Sequence, residues 1–132
     1  MNLTQNQVQL VTLAALGAFM LTFSNTQHLS SAQDVQGSRA YWAARAGLDW
    51  AIASVIATAP VAPAVLPAAT CPLSAPPASL NGFTLVITCS PLTYTEAGAT
   101  VNIFQLTSTA STTGAIGSVG FIERSLSASL EQ

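Results

Sequence analysis

The chain has 132 residues, of which 50% are hydrophobic and only 6% are charged. Three basic residues, all arginine, stand against five acidic ones, and the net charge is −2. Because no basic patch is available to neutralise phosphates, this composition excludes a nucleic-acid-binding surface. The length leaves room for one modest domain.

An uncharged apolar run extends from Val8 to Phe23. Its alanines and leucines favour a helix, whose backbone hydrogen bonds are satisfied internally as a membrane interior requires. Ala14, Gly17 and Ala18 add a patch of small residues that another apolar helix can approach closely. We therefore predict a membrane-contacting and helix-assembly surface formed by Leu13, Ala14, Leu16, Gly17, Ala18, Phe19 and Met20.

This run is short for a membrane span. Residues 8 to 23 give about 24 Å of helix, against a hydrocarbon thickness of about 30 Å. We expect that the protein continues upstream of Met1. The alternative is a helix that lies at the membrane interface or against a partner protein.

Beyond a polar bridge, Ser24 to Gln33, apolar residues recur at three- and four-residue spacing. This pattern predicts that the helix continues over 34–58 and lies on a folded domain of residues 34–132, with 1–33 as a separate half-helix. Gly37 is a place where the helix can soften or break. The predicted apolar stripe consists of Tyr41, Ala44, Leu48, Ala51, Ile52, Val55 and Ile56.

Prolines then exclude both a helix and a central strand, so residues 59–81 are predicted to form a linker. The Asn81-Gly82 turn introduces a strand over 83–90 that Pro91 ends, and its alternation places one apolar face toward the helix stripe. The predicted helix–sheet core comprises Tyr41, Leu48, Ile52 and Val55 on the helix and Phe83, Leu85 and Ile87 on this strand.

Two further strands follow the turn at Glu96 to Gly98. The first, over 99–109, changes its apolar phase between Ile103 and Phe104, which predicts a bulge. The second is expected over 119–130, after an exposed polar loop from Ser108 to Ser118. The sequence thus predicts an α+β fold: a long N-terminal helix packed on an antiparallel sheet of about three strands.

The chain has two cysteines, Cys71 and Cys89. A metal site in a small protein usually takes four ligands, whereas a cysteine pair is typical of proteins in oxidising compartments. We predict a disulfide between them that ties the linker to the sheet edge. Two free buried thiols are the alternative.

The order of helix, proline-rich connection and small disulfide-bonded sheet resembles type IV pilins and pseudopilins. Leu13-Ala-Ala-Leu-Gly-Ala-Phe-Met20, the stretch from Ala32 to Ala51, and Gly82-Phe-Thr-Leu-Val-Ile-Thr-Cys89 are similar to the family of minor pilin-like MSHA biogenesis proteins called MshP, a relative of the PilX group. The resemblance covers roughly residues 10–130, and Gln36 to Trp50 is its most specific part. Members of this family are made with a short basic leader cut at a Gly-Phe junction, which this chain does not show.

The resemblance implies a minor pilin, a structural and assembly subunit of a type IV pilus of the MSHA type. It implies a single-pass helix in the inner membrane, a periplasmic domain, and incorporation into an extracellular pilus. The implied partners are other pilin or minor pilin subunits, contacted through the N-terminal helix, and the inner membrane before assembly.

Two alternatives are open. One, from another functional class, is a small adhesive or ligand-binding module on a membrane anchor, with polar loops such as Ser108 to Ser118 as its contact surface; the only aromatic residue these loops offer is Tyr94, near a turn. The other is a type II secretion pseudopilin. An enzyme is not expected, because the only histidine, His28, has no carboxylate or cysteine near it in sequence. We predict no catalytic residue, no metal site and no cofactor.

Overall fold

A computed structural model of the chain describes residues 4–58 and 70–132. The elements in chain order are helix α1 (Gln5–Ala57) and strands β1 (Ser79–Leu80), β2 (Phe83–Glu96), β3 (Ala99–Ser111) and β4 (Glu123–Glu131). The strands form one antiparallel sheet in the order β1-β2-β3-β4. The predicted α+β class, with a long N-terminal helix and a small antiparallel sheet, is confirmed.

The chain divides into two compact units. Residues up to Val35 form the first unit, and Gln36–Gln132 form the second, which contains the sheet and the part of α1 packed on it. Within the predicted linker 59–81, residues 59–69 lie outside the described residues.

The sheet has four strands rather than three, because the Asn81-Gly82 turn joins two strands instead of introducing the first. Asn81 and Gly82 have φ values of 52° and 85°. Positive φ at both central residues defines the two-residue hairpin turn whose twist suits flanking strands. The predicted turn before β3 has the same form, with φ values of 49° at Ala97 and 84° at Gly98.

Strand β2 does not end at Pro91, contrary to the sequence prediction, but continues to Glu96. The amide N–H of Leu85 donates to the carbonyl of Ala78, on the side of β2 away from β3. Because N–H directions alternate along a strand, the nitrogen of Pro91, six residues later, also faces this outer edge. Proline has no backbone N–H, but at position 91 an N–H would not point toward β3, so no hydrogen bond to β3 is lost. An edge position of this kind accepts proline.

The predicted bulge in β3 is absent from the pairing with both neighbours. The register runs without a slip from Thr84↔Ser111 to Glu96↔Ala99, and β4 pairs with β3 equally regularly. The change of apolar phase has another cause: Phe104 faces the helix, whereas Ile103 lies on the opposite face and is only half-buried.

The predicted boundaries of the last loop and strand also require correction. β3 extends to Ser111, so Ser108 lies in a strand and is fully buried instead of exposed. β4 begins at Glu123, and Val119, which was predicted to open it, is 94% exposed in the loop. The inward face of β4 consists of Leu126, Ala128 and Leu130, which all pack against the core.

The core lies where the small-residue face of the helix meets the sheet. Four of the predicted core residues are buried, namely Leu48, Val55, Phe83 and Leu85. The helix face between them is lined mainly by Ala40, Ala43, Ala44, Gly47 and Ala51. Because these side chains are short, the helix backbone can approach the sheet closely.

Four other predicted core or stripe residues lie farther out. Tyr41 is 38% exposed and Ile56 is 56% exposed, so neither belongs to the core. Ile52 and Ile87 are half-buried and pack at its margin. Compared with the prediction, the helix is rotated about its own axis so that its alanine side faces the sheet. The bulkier residues at the edge of the predicted stripe therefore remain at the surface.

Gly37 does not interrupt α1, which continues through it. It is buried, and a Cβ built at this position would lie 3.0 Å from Nη2 of Arg124. The glycine therefore makes room for the guanidinium of a β4 residue.

Cys71 and Cys89 form a disulfide, with their Cα atoms 6.0 Å apart. Cys89 lies on β2, beyond the part of that strand that β1 pairs with. Cys71 and the nearby Leu73 pack against the cluster that contains Leu48 and Leu106. The bond therefore fastens the segment before β1 to the outer edge of β2, as the sequence predicted.

Candidate functional site

The first candidate site is the apolar helix surface between Val8 and Phe23, in the unit that ends at Val35. Leu13, Met20 and Leu21 have 67%, 70% and 70% of their surface exposed. An 18-residue window of α1 has a mean hydropathy of 1.5, and none of it is buried. By length and composition α1 is able to cross a membrane. The seven residues predicted for this surface are all exposed: Leu13, Ala14, Leu16, Gly17, Ala18, Phe19 and Met20.

The hydroxyl groups in this part of α1 are satisfied within the helix. Thr12 Oγ1 lies 3.0 Å from the carbonyl oxygen of Val8 and 2.9 Å from that of Gln9. Thr22 Oγ1 donates in the same way to the carbonyl of Phe19, at 2.8 Å. A side chain that bonds to its own helix needs no water, so these residues are compatible with apolar surroundings.

The same surface is shaped for contact with another helix. Phe19 and Phe23 stack with their ring centroids 6.4 Å apart, beside a shallow groove of about 500 Å³. A Cβ built at Gly17 would meet no atom within 4 Å, so the space in front of the glycine is open. The groove is lined by Leu16, Phe19, Met20, Phe23, Ser24 and Gln27, and it can accept a bulky apolar side chain of a partner helix. The small residues around Gly17 separately allow a close backbone approach.

The second candidate site is a polar cavity in the unit Gln36–Gln132. One part, of about 370 Å³, is bounded by α1, the β1–β2 turn and the β3–β4 loop, and an adjoining part of about 430 Å³ extends toward Trp42. Arg39 and Asn81 line both parts. The lining residues are Gln36, Arg39, Trp42, Asn81, Gly82, Phe83, Thr112, Thr113 and Gly120.

Hydrogen bonds fix the loop wall of this cavity. The backbone N–H of Thr112 donates to the carbonyl of Ile122 at 2.9 Å, and the N–H of Ile122 donates to Thr112 Oγ1 at 2.9 Å. Within the loop, Ser118 Oγ donates to the carbonyl of Ala115 at 2.7 Å. The base of the loop is therefore closed, and Thr112 and Thr113 are held at the cavity rim.

Sequence reasoning missed this cavity because its residues come from three separated segments and form no local motif. A weak indication was present: Arg39 and Trp42 are three residues apart and therefore share one side of the helix. The adhesive alternative relied on the polar loop Ser108 to Ser118, of which Thr112 and Thr113 do line the cavity. It also named Tyr94, which is half exposed on β2 near the turn to β3. Because the β3–β4 loop follows Ser111, which pairs with Thr84, Tyr94 and that loop lie at opposite ends of the sheet.

Arg45 and Asp49 form the ion pair that their spacing allowed, with 3.3 Å between Nε and Oδ1. The hydrogen bond to Asp49, followed by that to Tyr41, raises the pKa of Arg45 above its ordinary value. Since both side chains are more than half exposed, this pair contributes little to stability.

His28 lies on the exposed surface of the first unit. Over residues 4–58 and 70–132, no group of three or more His, Cys, Asp or Glu side chains is placed to hold a metal ion.

No protein-family model, no curated protein sequence and no solved structure matches this chain.

Proposed function

We propose that this protein is a minor pilin-like subunit of a type IV pilus system, with a structural and assembly role. The observation that carries the proposal is the exposed apolar segment of α1, none of which is buried and in which the hydroxyl groups already have partners within the helix. Such a surface is unfavourable in water, and each large apolar side chain gains roughly 1.5 to 3 kcal/mol when it is covered. A lipid bilayer or a bundle of similar helices provides that cover.

The proposed mechanism uses one surface twice. In the membrane, the side chains around Leu16 and Phe19 contact lipid and anchor the subunit. During assembly the same side chains exchange lipid for apolar helices of neighbouring subunits, and the open space at Gly17 allows a close approach. The sequence resemblance to minor pilins supports this reading, as does the disulfide, which suits a periplasmic or extracellular domain.

The anchoring step is tested with Gly17→Arg, compared with Gly17→Ala as the matched control. A charge in the middle of a bilayer costs about 3 kcal/mol on insertion scales, so the arginine variant should be lost from the membrane fraction. The alanine variant should be retained. Equal membrane retention of the two variants would contradict the anchoring role.

The assembly step is tested with a photo-crosslinking residue at Leu16 in cells that make pili. We expect crosslinks to the helices of other pilin-like subunits, and fewer of them when the crosslinker is placed at the charged position Asp34, which lies beyond the apolar segment and does not line the groove. A protein that remains in the membrane but crosslinks only to lipid would be an anchored module and not a filament subunit.

A further inference from the structure

We propose that the polar cavity around Arg39 and Trp42 binds an acidic saccharide, a sugar that carries a carboxylate. This inference is independent of the filament role, since the residues concerned all lie within Gln36–Gln132 and none belongs to the apolar helix surface. Failure of one proposal would therefore leave the other unaffected.

Arg39 supplies the charge that selects a carboxylate. The three cations of the chain are Arg39, Arg45 and Arg124, and the structure assigns two of them to other contacts: Arg45 pairs with Asp49, and Arg124 packs over Gly37 and donates to the carbonyl of Glu123. Among the described residues Arg39 forms no ion pair. None of the described residues that line the cavity is acidic, so no carboxylate among them competes for the Arg39 guanidinium. A guanidinium binds a carboxylate in a bidentate manner.

Trp42 supplies an apolar plane. Its side chain is 64% exposed, although one edge contact holds it: the ring of Tyr41 lies 5.5 Å away at an interplanar angle of 78°. An indole ring that is partly fixed and largely exposed offers a large contact area at low entropic cost. The C–H face of a pyranose ring matches such a surface, whereas a small inorganic anion does not use it.

The remaining lining groups match hydroxyls. Gln36 and Asn81 offer amide donors and acceptors, and Thr113 offers a hydroxyl group at the rim. A Cβ built at Gly82 or Gly120 would meet no atom within 4 Å, so the backbone there leaves space for a ring. A cation, an aromatic plane and several neutral hydrogen-bonding groups around one cavity fit a carboxylated sugar better than a neutral sugar or a simple anion.

The test uses the full chain in detergent, with Trp50→Phe so that Trp42 is the only tryptophan. Glucuronate, glucose and inorganic phosphate are titrated separately, and binding is followed by Trp42 fluorescence and calorimetry. We expect glucuronate to bind at least about tenfold more tightly than glucose, the factor that a charge-assisted hydrogen bond supplies. This preference should weaken as salt is raised.

Variants assign the effect to the cavity. Arg39→Gln should abolish the preference for glucuronate over glucose. Asn81→Gly, which removes the amide but keeps a residue that accepts positive φ in the turn, should weaken binding of both sugars in the calorimetric titration. Arg45→Gln, which changes an exposed arginine on the same helix outside the cavity, should bind glucuronate as the parent does. The proposal is overturned if glucuronate does not bind at millimolar concentration, if glucose binds equally well, if phosphate binds as tightly as glucuronate, or if Arg45→Gln and Arg39→Gln have the same effect.

Discussion

Gly47 of the helix lies directly against Ser108 of β3, so close that any Cβ at position 47 would overlap the Ser108 hydroxyl oxygen. Ser108 is fully buried, and its hydroxyl has no hydrogen-bond partner among the residues that the structure describes. Two small residues thus set the closest approach between the helix and the middle of the sheet. The spacing of the whole core depends on their size.

Gly47→Ala should therefore destabilise the domain. Alanine normally stabilises an exposed helix relative to glycine by about 1 kcal/mol, but here the added methyl group would also lie 3.3 Å from Ile87 Cδ1. Overpacking of this kind costs about 1 to 3 kcal/mol, which a thermal or denaturant unfolding curve of the full chain resolves.

Two further variants serve as controls for the predicted effect of Gly47→Ala. Gly17→Ala, where the new Cβ meets nothing within 4 Å, should leave domain unfolding unchanged. Ser108→Gly should rescue part of the loss in the double variant. If Gly47→Ala unfolds at the same midpoint as the parent, the close helix–sheet contact is wrong.

Ser108→Ala should be neutral or stabilising. The substitution removes a buried hydroxyl with no described partner, and the desolvation cost of such a group is about 1 to 3 kcal/mol. Chemical denaturation should show an unchanged or higher midpoint, against a shift below about 0.5 kcal/mol for the exposed Thr113→Ala. A loss of more than about 1 kcal/mol would indicate that the hydroxyl has a partner, such as a buried water.

Three aliphatic truncations, at positions with different burial, test which side of the helix faces the core. Leu106 is fully buried in β3, whereas Ile56 is 56% exposed on the helix. Leu106→Ala should cost about 2 to 5 kcal/mol of unfolding free energy, and Ile56→Ala should cost much less than that. Ile52→Ala should fall between them because its side chain is half-buried. Equal costs at positions 106 and 56 would mean that the helix presents a different face to the sheet.

Loss of the disulfide should strongly reduce the stability of so small a domain. Cys71 and Cys89 are 18 residues apart, and a loop of that length contributes about 3 kcal/mol in the chain-entropy model. Cys89→Ser should therefore lower the melting temperature by more than about 10 °C. Before reduction, the parent protein should be about two daltons lighter than after it, since bond formation removes two hydrogens. Two thiols that react freely with an alkylating reagent in the unreduced protein would contradict the bond.

The sequence by itself determined those features that depend on neighbouring residues. The uncharged run from Val8 to Phe23 specified an apolar helix, because its alanines and leucines favour that conformation. Asn81-Gly82 and the turn ending at Gly98 specified two chain reversals, because glycine and asparagine accept positive φ. The alternation after Phe83 specified a strand with one inward face. Each of these signals is complete within about ten residues.

Contacts between distant segments decided the rest. Helical periodicity allowed either the stripe with Tyr41 or the alanine face to meet the sheet, and the close contact of Gly47 with Ser108 selected the alanine face. Pro91 remained inside β2 because no described strand pairs with that edge beyond Leu85, a fact of strand order that proline itself does not encode. The cavity of Arg39, Trp42 and Asn81 likewise exists only in the folded domain. Local propensity acts over a few residues, whereas helix orientation, strand order and cavities are fixed by packing between segments that lie far apart in the chain.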